Sequence, residues 1–466
     1  MSPARSFTRL AIVIAIVGAV HGLVYVPFVS RTVGTDSNTY IATAQAMLDG
    51  EYSTPLVAGY YYTFPIGFFD LTGIHVTDES VFDAPERQAF RAPGYPAYLA
   101  VLGGGGKGVP RGLALIGQAL LFGLGTLLLA FTVRDWWGPG VGLAAAAAYA
   151  LDPFSKHYVT ILLSEQLAAF LVLAGVFAYT RAVRSRHVAW WAATGALAGA
   201  LTLVRAVFVF TVPLVLLAAL LQRGTRLRGA AAALGCAALL LVPWLAWTNE
   251  TTGRAVFANW GQGYNLLVAA HGEGLGRTQT EVSEDPAFVR DLARPYRYAP
   301  TRAQLLSDPE AHPRYLARAD AEVRSRALEV YRDRLGDEPV QVLWENVYRA
   351  FFLWQAHEDW YQPSGAALTV LRALDVLVLA LALVGLFLAL RRGGPPRAVA
   401  IFLLVYTVVI ATHHTEARFA MPVRGLYLTL VTVGALALLE RLPAWRRRAG
   451  TSPARTAPSP DYPPRS

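Results

Sequence analysis

Asp36 opens the segment Thr35-Asp36-Ser37-Asn38-Thr39-Tyr40. A helical pattern follows, with Tyr40, Ala44, Met47 and Leu48 on one face and Gly50 as its stop. A carboxylate here caps the first N–H groups of that helix. It also suits a general base that takes a proton from an incoming hydroxyl, and the two roles are compatible. In Arg91-Ala92-Pro93-Gly94-Tyr95-Pro96, two prolines around Gly-Tyr fix a rigid turn. Arg91 is read either as a snorkelling interfacial side chain or as a planar clamp for a phosphate. Lys156 and His157 follow Asp152-Pro153, and Glu165 lies inside an apolar window a little further on. A carboxylate at the bilayer centre costs about 2.5–3.5 kcal/mol on insertion scales, which argues for a position near a helix end facing a polar cavity, with an interhelical ion pair as the plain alternative. Arg205 interrupts another apolar run, and Asn249 ends the one containing Pro243-Trp244. His413-His414-Thr415-Glu416-Ala417-Arg418 then separates the last two apolar runs. Adjacent histidines on a helix diverge, which disfavours a shared metal, although a divalent ion stays possible. His21 and His271 read as structural.

The elements that carry these residues are apolar. Of 466 residues, 54% are hydrophobic and 16% charged, against roughly a quarter charged in soluble domains. Mean hydropathy is +0.37. Runs such as Leu10–Val29, Gly229–Trp247 and Val370–Leu390 approach the ~20 residues a helical span needs. About ten spans are expected, at 10–29, 111–132, 139–152, 161–180, 188–204, 206–221, 229–247, 368–390, 398–412 and 423–440. The start reads as a retained first span rather than a cleaved signal. The net charge of +9 comes from short basic clusters between apolar runs, which points to membrane topology rather than nucleic acid. Arg5, Arg9, Arg134, Arg181, Arg184, Arg186, Arg223, Arg226, Arg228, Arg391, Arg392, Arg397 and the arginines from Arg441 to Arg448 fall on one side in a ten-span arrangement. That side is expected to be cytoplasmic, with both termini on it.

The fold class expected is thus an all-α polytopic membrane protein over residues 1–447, with a disordered cytoplasmic tail at 448–466. Two extracytoplasmic segments, 30–110 and 249–367, interrupt the spans. Within the second, Leu316, Val323 and Val330 recur every seven residues with Ala319 and Ala327 between them. This predicts an amphipathic helix lying on the bilayer or packed on the spans. Val340–Trp354 is a second interfacial candidate. Cys236, the single cysteine, reads as a small packing residue, and Gly103–Gly106 as a plain turn. Arg clusters alone set the topology, yet Asp36, Arg91, Lys156, Glu165, Arg205, Asn249, Glu416 and Arg418 all fall at its extracytoplasmic face.

Three motifs resemble the GT-C superfamily of polyprenyl-phosphate-dependent glycosyltransferases, near bacterial relatives of protein O-mannosyltransferases and aminoarabinose transferases. They are Asp36 ahead of Tyr40-x-x-x-Ala44-x-x-x-Leu48-x-Gly50-x-Tyr52-Ser53, the Arg91-x-Pro-Gly-Tyr95-Pro element, and Glu416-x-Arg418-Phe419-x-x-Pro422. The resemblance runs from Arg5 to about Arg441. It implies a GT-C-like fold, a polyprenyl-phosphate-linked sugar donor, a glycan, lipid or protein acceptor, and an extracytoplasmic active site in the cell membrane. It implies Asp36 as catalytic base and Arg91 and Arg418, with Lys156, near the carrier phosphate. Glu165, Arg205, Asn249, Tyr40, Tyr95, His157 and Glu416 would bind substrate or support the site. The chain departs from the pattern where Thr248 precedes Asn249 and where Arg205 lacks a following proline. A transporter or lipid flippase, and an envelope scaffold without catalysis, are the competing classes. The large outer segments and the lack of internal repeats count against transport.

Overall fold

The computed structural model describes residues 3–25, 35–50, 52, 91–103, 111–257, 262–274, 277–294, 311–355 and 365–441. The tail at 448–466, most of the first outer segment and the Gly104–Gly106 part of the glycine run lie outside the described residues. Among the described residues the protein is helical, with an isolated bridge between Gly274 and Arg277 in place of strands. Helix α1 (Pro3–Tyr25) is followed by α2 (Thr35–Leu48), α3 (Gly94–Gly103), α4 (Arg111–Trp137), α5 (Pro139–Leu151) and α6 (Pro153–Val159). Then come α7 (Glu165–Ser185), α8 (Val188–Val204), a 3-10 turn (Ala206–Phe210), α9 (Thr211–Leu221) and α10 (Arg226–Thr252). An outer group holds α11 (Gln262–Ala270), α12 (Gln279–Ser283), α13 (Pro286–Ala293), α14 (Ala311–Asp337) and α15 (Pro339–Phe352). The chain closes with α16 (Ala366–Arg392), α17 (Gly394–Ala411), a 3-10 turn (Ala417–Val423) and α18 (Arg424–Arg441).

Each of the ten expected apolar segments holds a helix among its described residues. Among the described residues seven helices are long and apolar enough to cross a membrane, while Pro139–Leu151, Val188–Val204 and Ala206–Leu221 are shorter. The sequence explains the short ones. Gly138 and Pro139 start α5, and Asp152 stops it by turning to cap α6, accepting from the Ser155 N–H at 2.9 Å. At Arg205 the backbone becomes extended and α8 ends. Small residues let these helices approach closely, as association within lipid requires. A Cβ on Gly195 of α8 would lie 2.0 Å from the Ala233 carbonyl oxygen of α10. Gly385 of α16 and Gly434 of α18 meet the Leu430 and Leu381 carbonyls at the same distance.

Helix α7 sets the polarity of the bundle. Glu165 stands at its start, and Arg181 and Arg184 at its end approach Asp135 within 3.8 and 3.1 Å, beside Arg134. At ~1.5 Å per residue, Arg181 and Arg184 stand roughly 24–29 Å along the helix from Glu165, close to the thickness of a hydrocarbon core.

The outer group builds its own small core. The expected periodic helix is α14; its described stripe packs on the other outer helices, while Tyr315 on the same helix reaches Trp244 of the span α10. Ala319, Val323 and Ala327 are buried, and Val323 and Ala327 pack with Leu267, Val268, Phe288 and Val289 of α11 and α13. The side chain of Leu316 lies outside the described residues. Helix α15 is the reverse of a soluble amphipathic helix. It exposes Val340, Leu343, Trp344, Val347 and Tyr348 and buries Glu345 and Arg349, as an interfacial helix does when its apolar face meets lipid.

Candidate active site

The first turn of α2 carries Asp36, and both its oxygens are engaged. Arg91 donates from Nη2 to Oδ1 at 2.7 Å, and Arg418 from Nη1 to Oδ2 at 3.1 Å. Three distant parts of the chain therefore converge on one carboxylate, which is 24% exposed and open to a ligand. Local chemistry fixes each partner. Arg91 Nε donates to Thr39 Oγ1 at 2.9 Å, and Thr39 in turn donates to the Asp36 carbonyl at 2.8 Å. The Arg91 guanidinium also lies 4.7 Å from the centre of the Tyr40 ring. The Tyr52 hydroxyl donates to the Arg91 carbonyl, and its ring meets Trp244 and Trp247 of α10 edge-on. Gly94 lets α3 touch the end of α8, since a Cβ there would come within 2.9 Å of the Leu203 carbonyl oxygen. That contact holds the Arg91 turn next to Arg205.

A second ion pair sits beside the first. Arg205 Nη1 meets Glu165 Oε1 at 2.6 Å and donates to Ser164 Oγ at 3.2 Å, which also accepts from the Tyr40 hydroxyl at 3.3 Å. The Phe419 ring lies 5.5 Å from both Arg205 and Arg418. Glu165 is buried and its Oε2 lacks a hydrogen-bond partner. Tyr95 supports this wall from behind. Its hydroxyl donates to Gln118 Oε1 at 2.8 Å, while Gln118 Nε2 donates to the Val159 and Ile161 carbonyls at 2.9 Å.

Glu416 caps the 3-10 turn and pairs with Arg418 Nε, while its Oε1 lies 3.1 Å from His414 Nε2. On the other ring nitrogen, His414 Nδ1 lies 2.5 Å from Glu273 Oε1. Burial opposes charge on His414, but the hydrogen bonds and charges of Glu273 and Glu416 outweigh it and push the imidazole up to about 9. Burial likewise opposes charge on Glu416, yet Arg418 and then His414 hold its carboxyl below the usual range.

The structure thus brings together Asp36, Arg91, Arg418, Glu416, Tyr40, Glu165 and Arg205. Tyr95 contacts Tyr40 edge-on at 4.9 Å. Lys156 is buried in α6, and burial pulls its amine below the usual lysine range. His157 stands edge-on to Tyr158 at 5.2 Å. Both lie on the α6 hairpin. Asn249 is exposed near the end of α10, where its carbonyl accepts from Gly253, and takes no part in the Asp36 network. Sequence reasoning missed Ser164, Thr39 and Glu273. Glu273 carried one usable signal, an acid between two glycines whose φ angles of +90° and +115° only glycine adopts readily. It also missed Arg424, which pairs with Asp152 at 3.2 Å and ties α18 to the start of α6. No group of three acidic, histidine or cysteine side chains among the described residues is arranged to hold a metal ion.

A family profile described as dolichyl-phosphate-mannose-protein mannosyltransferase matches residues 107–247. No curated protein matches the chain in sequence. The oligosaccharyltransferase of Archaeoglobus fulgidus, solved in complex with zinc and sulfate, is similar in structure, with a TM-score of 0.52 and 13% identity over 95% of this chain and 50% of that one. Its apo form gives 0.50 and 14% over 95% and 51%. The chain spans about half the length of that enzyme. ArnT from Cupriavidus metallidurans, bound to undecaprenyl phosphate, aligns at 16% identity over 94% of this chain and 79% of that one, with a TM-score of 0.37. At these identities the archaeal likeness is one of fold alone, a helical membrane fold shared over 95% of this chain.

Proposed function

We propose that this chain is a membrane glycosyltransferase that moves a sugar from a polyprenyl-phosphate carrier to the hydroxyl of a glycan, lipid or protein acceptor. The observation that carries this reading is the Asp36 carboxylate held between the Arg91 and Arg418 guanidiniums. A base for the acceptor and two cations for a phosphate are the groups such a transfer needs. The carrier-phosphate family profile over 107–247 supports it.

The charge balance suggests the order of events. Both Asp36 oxygens accept from guanidiniums. A donor phosphate competes for the same guanidiniums through charge-assisted bonds. As Arg91 and Arg418 turn toward it, a carboxylate oxygen is released to accept the acceptor's proton. The acceptor oxygen then bonds to the anomeric carbon as the bond from that carbon to the phosphate oxygen breaks. The proton passes to Asp36, and the electron pair stays on the phosphate, where both arginines stabilise it. Direct displacement inverts the anomeric centre. Arg205 and Glu165 line the adjacent wall, and Lys156 adds positive charge behind it. The reading places this end of the bundle outside the cell and both termini in the cytoplasm, from the arginine clusters.

The test uses the purified full chain in nanodiscs with a radiolabelled polyprenyl-phosphate sugar. Asp36→Asn is expected to lower transfer by roughly 10²- to 10⁴-fold, the range for loss of a general base, while thermal stability stays near wild type. Wild-type turnover in that variant would reject the mechanism.

A further inference from the structure

We propose that His414 and Glu273 are positioning residues of this site: the imidazole, held between two glutamates, braces Glu416 against Arg418, keeps that guanidinium beside Asp36 where it can turn to a phosphate, and ties that geometry to docking of the outer helices. The inference rests on the functional reading above. It begins from a chain of alternating charges, Glu273, His414, Glu416, Arg418, Asp36 and Arg91, each in contact with the next. Both ring nitrogens of His414 face carboxylate oxygens. A neutral imidazole donates through one nitrogen only, whereas the imidazolium donates through both. The bridge as built therefore needs the charged ring. Loss of its proton removes one of the two imidazole bonds: either Glu273 loses its bond to the ring, or Glu416 keeps Arg418 as its partner but is no longer braced against His414.

The outer end of the chain is as firmly anchored as the inner one. Glu273 follows α11, and its carbonyl accepts from the buried guanidinium of Arg349. Arg349 also donates to the Ala411 carbonyl at 2.7 Å and to the Tyr331 hydroxyl at 3.0 Å. Tyr331 reaches the Thr412 carbonyl at 3.0 Å, and the His414 N–H donates to the Asn265 carbonyl at 2.8 Å. The loop that carries Glu416 is thus gripped by α11, α14 and α15 together. The groups facing His414 are Glu273 from the outer group, Glu416 from its own loop and the edge of Phe419 at 6.3 Å. Arg349, Arg418 and Asp36 are the next charges beyond. Buried ionic networks of this kind fix geometry more than they add stability.

The experiment measures transfer by the full chain against pH in wild type, His414→Gln and Glu273→Gln. Wild-type kcat is expected to fall as pH rises through about 9. His414→Gln should lose at least tenfold in kcat at pH 7, with the donor KM within threefold, and should lack the alkaline limb. Glu273→Gln should move that limb to lower pH by at least one unit. A packing role alone would lower yield or melting temperature and leave the limb where it is, and an unmoved limb in both variants overturns the proposal. Absence of transfer by the wild type at every pH would sink the functional reading instead. The bridge is then read directly from 15N-histidine spectra, assigned by difference with His414→Gln. Both His414 ring nitrogens are expected to carry protons at pH 7.5 in wild type but not in Glu273→Gln, and a neutral wild-type His414 overturns the proposal.

Discussion

At the scale of single residues, the site is a contest between a carboxylate and a phosphate for the same two guanidiniums. Arg91 serves two acceptors at once, Asp36 through Nη2 and Thr39 through Nε. A lysine at 91 keeps the charge but presents one compact ammonium in place of the planar fork. Arg91→Lys is therefore expected to lose one charge-assisted bond, about 1.5–3 kcal/mol, or roughly 10- to 100-fold in kcat/KM. The measurement is the steady-state rate against donor concentration, and a change within twofold would show that the fork is not used. Asp36, Arg91 and Arg418 were legible because charged residues at the ends of apolar runs stand out against a chain with few charges. Glu273 and Ser164 were not. One is an ordinary acid in a polar segment, and the other a serine whose role exists only once Arg205 and Tyr40 arrive from elsewhere in the chain. Asn249 stood out by position alone, and position does not say which way an exposed side chain turns.

At the scale of elements, hydropathy revealed the helices because lipid demands unbroken apolar runs, but it could not reveal which surface each helix chose. The stripe of α14 reads the same whether it meets lipid, the spans or, as found, Leu267 and Phe288 of a separate outer core. The junction between the last helix and the α5–α6 hairpin was equally silent. Asp152 reads as a cap, and Arg424 as one more arginine near a helix start. Together they form an ion pair in which both side chains are 7% exposed, with the Arg424 guanidinium 5.3 Å from the Phe154 ring. Removing one partner strands the other charge, at a cost of about 3–5 kcal/mol. Arg424→Met is expected to lower the unfolding midpoint of the purified protein clearly. The joint change with Asp152→Asn should recover part of the loss, because no uncompensated charge remains. A single variant as stable as wild type, or a double variant less stable than the single, would contradict this account of the junction.

At the scale of the whole molecule, the proposal requires that the two charged ends of the bundle face different compartments. Helix α7 carries Glu165 at one end and Arg181 and Arg184 at the other, roughly 24–29 Å away by helix rise. The outer helices belong to the Glu165 end, because Tyr331 of α14 bonds Thr412, four residues before Glu416. In the proposed reading the arginine excess puts the Arg181–Arg184 end in the cytoplasm, since basic loops resist translocation. A lipid-linked sugar presented outside the cell then meets Asp36 without crossing the protein. Cys236 is the single cysteine, so a Cys236→Ala background gives a clean labelling chain. Arg332 on α14 is 76% exposed and Arg184 is 53% exposed, which makes both suitable reporter positions. In intact cells a membrane-impermeant maleimide is expected to label Arg332→Cys at once, and Arg184→Cys only after permeabilisation. The reverse pattern would put the Asp36 carboxylate in the cytoplasm and withdraw the extracytoplasmic assignment, even though every contact around it stayed as described.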